Sequence, residues 1–164
     1  MDILPAARVT IVMGSQSDWP TLQEATTILG QLNVDHACGI VSAHRTPDRL
    51  YEFARGAEKN GVEIIIAGAG GSAHLPGMIA SMTSVPVIAV PVESKFNQGL
   101  DSLLSIVQMP RGVAVATQAV GGAGAFNAGV MAVQMLAIYD HPLRARFKEW
   151  RLNRSAEVAV EIQS

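Results

Sequence analysis

Ile64, Ile65, Ile66 and Ala67 follow one another with no polar residue between them. A strand lacks the usual in-out alternation when both of its faces are covered, as in a parallel sheet held between two helical layers. Four other short apolar runs, Val9 to Met13, His36 to Val41, Val87 to Val90 and Val113 to Ala116, join Glu63 to Ala67 as five predicted strands. The intervals have helical spacing. Leu22, Ala25, Ile28, Leu29 and Leu32 form a stripe after Asp18 as cap and Pro20 in the first turn, and Leu50, Phe53, Ala54 and Ala57 do the same between Thr46-Pro47 and Asn60-Gly61. Shorter crossovers are expected near Leu75 to Met82 and Gly99 to Val107, and a long helix near Ala125 to Tyr139. The pattern predicts an α/β fold: a three-layer, doubly wound parallel sheet of the Rossmann or flavodoxin-like kind.

At 164 residues the chain has room for one well-buried domain, taken here as 1–164. Pro142 opens a C-terminal helical extension, 142–164, with Leu143, Phe147 and Trp150 on one face. Coming after the sheet is complete, it is expected to pack on a neighbouring subunit. The net charge of −2 supplies no positive field for a nucleic acid or an anionic membrane. No apolar stretch reaches the length of a membrane span, and Met1 to Ala7 lacks the blocks of a signal peptide. A lone Cys38 leaves no internal disulfide to demand an oxidising compartment. A cytoplasmic protein is the expectation.

In a parallel sheet the loops leaving the strands' carboxyl ends share one rim, where ligands bind. Three such loops are rich in small and hydroxyl residues: Gly14-Ser15-Gln16-Ser17-Asp18, Ser42-Ala43-His44-Arg45-Thr46 and Gly68-Ala69-Gly70-Gly71-Ser72-Ala73-His74. Hydroxyls leading into helix N-termini, with a forked cationic donor at Arg45, suit a phosphate. Asp18 suits a sugar diol, and either Ser15 or Asp18 alone would be explained by helix capping. His44 stands in its loop among the hydroxyls of Ser42 and Thr46 and beside Arg45, and an imidazole can both give and take a proton, which makes it the candidate acid and base. His74 is as compatible with a structural place as with a functional one. His36 and Cys38 share a strand face but lack a third ligand at zinc spacing, so they are read as packing residues. The run from Gly68 to Ala73 fits G-x-G-x-x-G/A, and Glu93 ends the next strand as an acidic ribose ligand would. The following helix is short and holds Pro76 and Gly77, and no second domain is available for a hydride partner.

Four strings, MGSQSDWP at Met13 to Pro20, SAHRTPD at Ser42 to Asp48, IIIAGAGGSAHLPGM at Ile64 to Met78 and GLDSLLSIVQMP at Gly99 to Pro110, closely resemble one family. It is the aminoimidazole ribonucleotide carboxylases of purine biosynthesis, in their class I, N5-carboxyaminoimidazole ribonucleotide mutase form. The resemblance covers about residues 8 to 155. It implies an isomerase that moves a carboxylate from the exocyclic nitrogen of an imidazole ribonucleotide to carbon 4, through release and recapture of carbon dioxide, without metal or organic cofactor. It further implies Ser15, Ser17, Ser42 and Arg45 about the phosphate, Asp18 at the ribose, His44 as proton shuttle and Ala43 among the substrate-binding residues. Gly70, Gly71, Ser72, Ala73, His74 and Leu75 would wall in the carboxylate or transient carbon dioxide. Members of the family are octamers, so a homo-octamer is implied as well.

Two departures stand out. Ser72 occupies a position that is usually Ala, and Ser94-Lys95-Phe96-Asn97-Gln98-Gly99 replaces a common S-x-L-x-G. Arg45 and the loop from Gly70 to Leu75 favour the class I form over the carboxylases that use free carbon dioxide, which typically carry lysine after the motif histidine. A non-catalytic nucleotide-phosphate sensor would explain the loops but leave His44 idle. A phosphate-accepting receiver domain would need an acidic pair after strand one and another acid after strand three, where Ala67-Gly68 stands instead.

Overall fold

The structure is a computed structural model describing residues 4–162; positions 1–3 and 163–164 of the expected domain, including the start of the Met1 to Ala7 segment, lie outside the described residues. Five parallel strands, β1 (Val9–Met13), β2 (His36–Ile40), β3 (Ile64–Gly70), β4 (Val87–Val92) and β5 (Ala116–Thr117), lie in the order β2-β1-β3-β4-β5. This is the flavodoxin-like order, in which the direction of winding reverses between β1 and β3. The helices are α1 (Trp19–Gln31), α2 (Pro47–Gly56), α3 (Leu75–Ala80), α4 (Leu100–Val107), α5 (Gly122–Leu136) and α6 (His141–Ala156). The unalternated run is explained by two cores. Ile64 and Ile66 enter one with Val9, Ile11 and residues of α1, α5 and α6; Ile65 and Ala67 enter the other with Val12 and residues of α2, α3 and α4.

Several boundaries differ from the sequence reading, each for a local reason. β5 is only two residues long: Ala116 and Thr117 pair with Ile88 and Ala89 of β4, while Val113 closes the preceding Pro110-Arg111-Gly112 turn by donating to the Pro110 carbonyl. Asp18 does not cap α1 with its side chain. It closes a capping box with Ser15 over a 3-10 turn, Gln16–Asp18, that precedes the helix. Thr46 likewise gives α2 no side-chain cap, because its hydroxyl accepts from the Ser42 amide at 3.0 Å and donates to the Ser42 carbonyl at 3.1 Å. The expectation that Leu143, Phe147 and Trp150 face a neighbour is also changed. Leu143 and Phe147 are buried in the chain's own core, and Trp150 stacks on Phe147 at 5.8 Å while donating to Gln31. With those anchors used at home, α6 presents only its outer face to the surroundings.

Candidate active site

Three loops meet at the carboxyl rim, and each is held by its own bonds before any ligand arrives. In the first, the Ser15 amide donates to the Asp18 carboxylate at 3.0 Å, and the Ser17 hydroxyl donates to that of Ser15 at 3.1 Å. In the second, Arg45 is fixed from two sides: its Nε donates to the Ser42 hydroxyl at 3.2 Å and Nη2 to the Gly14 carbonyl at 2.6 Å. That second bond joins the loops after β1 and β2 and leaves the outer edge of the guanidinium for an anion. Burial pushes the Asp18 carboxyl above its ordinary value, against the opposing pull of the Ser15 and Ser17 bonds and Arg45.

His44 and His74 are brought together from β2 and β3. Nε2 of His44 lies 2.8 Å from Nδ1 of His74, with the rings edge-on at 89°. One ring must donate and the other accept, so the pair holds a single proton between the two nitrogens. The imidazole of His44 is therefore positioned, exposed and within reach of a ligand lying along the rim. His36, by contrast, is turned to the Val34 carbonyl at 2.8 Å, and burial raises the thiol of Cys38; neither belongs to the rim. Among the described residues no three His, Cys, Asp or Glu cluster as a metal site would require.

The loops enclose a cavity of about 390 Å³, within the range of small-molecule sites. Ser15, Ser17, Asp18, Ser42, Ala43, His44, Arg45, Gly70, Ser72, His74 and Leu75 line it. Gly71 and Ala73 do not. Gly71 takes φ +67°, and its amide and carbonyl turn away to Ser102 and Ser105 of α4; Ala73 is buried in the core with α2 and α3. Both shape the wall from behind. Ser102, fully buried, also donates to the Val92 carbonyl at 2.7 Å, so the serines of GLDSLLS tie α4 to the ends of β3 and β4. Gly14, Ala69, Glu93 and Ser94 complete the lining; of these the sequence raises only Glu93 as a ligand residue, the acidic ribose ligand of the dinucleotide pattern set aside above. Their signal was position alone, at or just past the carboxyl ends of strands. A wider hollow of about 770 Å³ at the opposite edge of the sheet is mainly apolar. Its one arginine, Arg8, is spent on Glu63 at 2.6 Å and Asp140 at 2.8 Å.

The sequence matches the family described as AIR carboxylase over residues 8–157. It is 58% identical over 149 residues to the N5-carboxyaminoimidazole ribonucleotide mutase of Haemophilus influenzae, covering 91% of each chain. To the mutase of Escherichia coli K12 it is 59% identical over 152 residues, covering 93% of this chain and 90% of the relative. The fold is similar to the crystal structure of Treponema denticola PurE, with a TM-score of 0.82 and 25% identity over 91% of this chain and 92% of that one.

Proposed function

This chain belongs to the AIR carboxylase family, and from that membership and the rim geometry we propose that it is the isomerase that converts N5-carboxyaminoimidazole ribonucleotide to 4-carboxy-5-aminoimidazole ribonucleotide. The observation that carries the reading is the placing of His44, 2.8 Å from His74, between an arginine-serine anion site and a wall of small residues. Arg45, Ser15, Ser17 and Ser42 hold the phosphate, Asp18 holds the ribose, and the ring lies toward β3. His44 gives a proton to the exocyclic nitrogen as its bond to the carboxylate breaks, so carbon dioxide leaves and the free amine remains; carbon 4 then adds to carbon dioxide, and His44 removes the ring proton. One group thus serves both steps and finishes as it began. Carbon dioxide is kept beside carbon 4 by Gly70, Ser72 and Leu75, a proximity effect that a small, closed wall serves better than an open charged one. Reaction in the cytoplasm as a homo-octamer belongs to the same proposal. No helix among the described residues is long and apolar enough to cross a membrane.

The decisive experiment follows both carboxylated isomers by absorbance with the purified protein, and in parallel supplies aminoimidazole ribonucleotide with bicarbonate. Rapid interconversion of the isomers with slow carboxylation from bicarbonate is expected. Preferred use of free carbon dioxide would make the chain a carboxylase of the other class. Binding of aminoimidazole ribonucleotide with neither reaction would make it a sensor.

A further inference from the structure

Glu93 lines the cavity from the end of β4, outside every role assigned above. Its side chain lies over the first turn of α5, where Gly121, at φ +81°, clears the space: a Cβ there would stand 3.0 Å from Oε1 and 3.7 Å from Cγ. Among the described residues it enters no ion pair. The carboxylate thus lies at the exposed side of the cavity, open to a ligand that enters it.

The ligand's needs can be set against what the cavity supplies, the ligand itself being taken from the family reading. Phosphate and carboxylate only accept hydrogen bonds; the serines, imidazoles and Arg45 meet them. The exocyclic nitrogen at carbon 5 carries N–H in both isomers and in the decarboxylated intermediate, and this group needs an acceptor. Two carboxylates line the cavity, Asp18 and Glu93. Asp18 already accepts from the Ser15 amide and lies beside the phosphate serines, at the ribose end. Glu93 lies two strands away across β3 in the order β1-β3-β4, ~10 Å from the end of β1 at the usual strand spacing. That is the ring end of a ribonucleotide anchored at the loops after β1 and β2. Carbons 4 and 5 are bonded neighbours, so an acceptor for the exocyclic nitrogen belongs next to the carboxylate wall. Gly70 of that wall abuts the end of β4, where a Cβ would meet Val92 at 3.6 Å and the Glu93 carbonyl at 3.9 Å.

We propose that Glu93 recognises the exocyclic amine, its carboxylate accepting the N–H bond in every species along the reaction. No proton is transferred. The bond anchors the ring while carbon dioxide moves, and it strengthens electron donation from nitrogen toward carbon 4, the atom that attacks carbon dioxide. The test pairs two ligands, aminoimidazole ribonucleotide and imidazole ribonucleotide lacking the amine, with the wild-type protein, Glu93→Gln and Glu93→Leu, and measures binding by calorimetry. Wild type is expected to prefer the amine-bearing ligand by roughly ten- to hundredfold, the size of a hydrogen bond to a charged group. Glu93→Leu should bring the preference to about one by weakening that ligand alone, and Glu93→Gln, which keeps an acceptor oxygen, should retain part of it. Equal weakening of both ligands, or a preference that survives in Glu93→Leu, overturns the assignment. Isomerase activity is scored separately: a wild type that isomerises without amine preference removes Glu93, whereas one that shows the preference without isomerising removes the proposed reaction and upholds Glu93.

Discussion

His44 and Asp18 make opposite demands on the fold. His44 is exposed, so His44→Asn keeps the shape of the loop and removes the proton. Isomerisation should fall by ~10² to 10⁴ while aminoimidazole ribonucleotide still binds, measured by turnover and calorimetry together; near wild-type turnover would take His44 out of the mechanism. Arg45→Ala should weaken the ribonucleotide much more than the nucleoside, since only the former carries the phosphate, and equal losses would place Arg45 elsewhere. Asp18 is held at a cost. Its carboxyl is raised chiefly by burial, so the folded protein binds this proton more tightly than the unfolded chain does. Stability therefore falls as pH rises from the ordinary carboxyl value through the raised one, and the penalty persists above it. Asp18→Asn keeps an acceptor for Ser15 and removes the charge. Its melting temperature relative to wild type should climb as pH rises above the ordinary carboxyl value, while ribonucleotide affinity drops. A difference that stays flat as pH rises would show that the buried charge carries no such cost.

Two glycines on paired helices show how differently one residue type acts within an element. Gly30, near the end of α1, has nothing within 4 Å of a Cβ and an ordinary φ, so Gly30→Ala should stabilise by ~0.4 to 1 kcal/mol through the unfolded chain. Gly129 of α5 faces α1, and a Cβ there would collide with Ile28 and stand 3.0 Å from the Ala25 carbonyl. Gly129→Ala should cost ~1 to 3 kcal/mol by overpacking. Urea melts of both variants check the pair; equal effects would mean that the helices do not approach as described. The same contrast marks what could be read in the sequence. The apolar run at Ile64 to Ala67 announced a doubly covered strand because burial on both faces leaves no alternation, and the loops from Gly14, Ser42 and Gly68 converged because parallel strands end on one rim. Side-chain direction was not legible in this way. Thr46 and Asp18 look like caps of the helices that follow, yet each bonds a residue three or four places back in its own loop, and the sequence does not say which of the two directions wins. Gly71 and Ala73 fell in the right motif but turn away, and Glu93 entered the cavity by strand register alone.

At the scale of the whole molecule, apolar side chains are left outside both cores. α6 is anchored on its own chain, by Leu143 and Phe147 in the core and by Arg146 donating to the Leu32 carbonyl at 3.0 Å. Deleting it would therefore unfold the subunit before it could report on assembly. A cleaner probe is α4, which buries Ser102 and Ile106 but turns Leu100, Leu104 and Val107 outward, with Phe96 just before it at 68% exposure. A stripe at i, i+4 and i+7 normally faces a core. Here it faces away from both cores, beside loop residues Glu93 and Ser94 that line the cavity. A stripe left outside in this way is expected to become subunit contact in the proposed octamer. Leu104→Glu places a charge on a residue that is 57% exposed in the isolated chain, so it should leave the melting of a single subunit nearly unchanged. Covered by a neighbour, the same charge would be buried without a partner at every equivalent interface. Light scattering should then show the mass falling from octamer to smaller species, with activity falling alongside because the neighbouring cavity wall loses its support. An octamer of full mass and activity would show that α4 faces solvent and that the subunits meet through another surface.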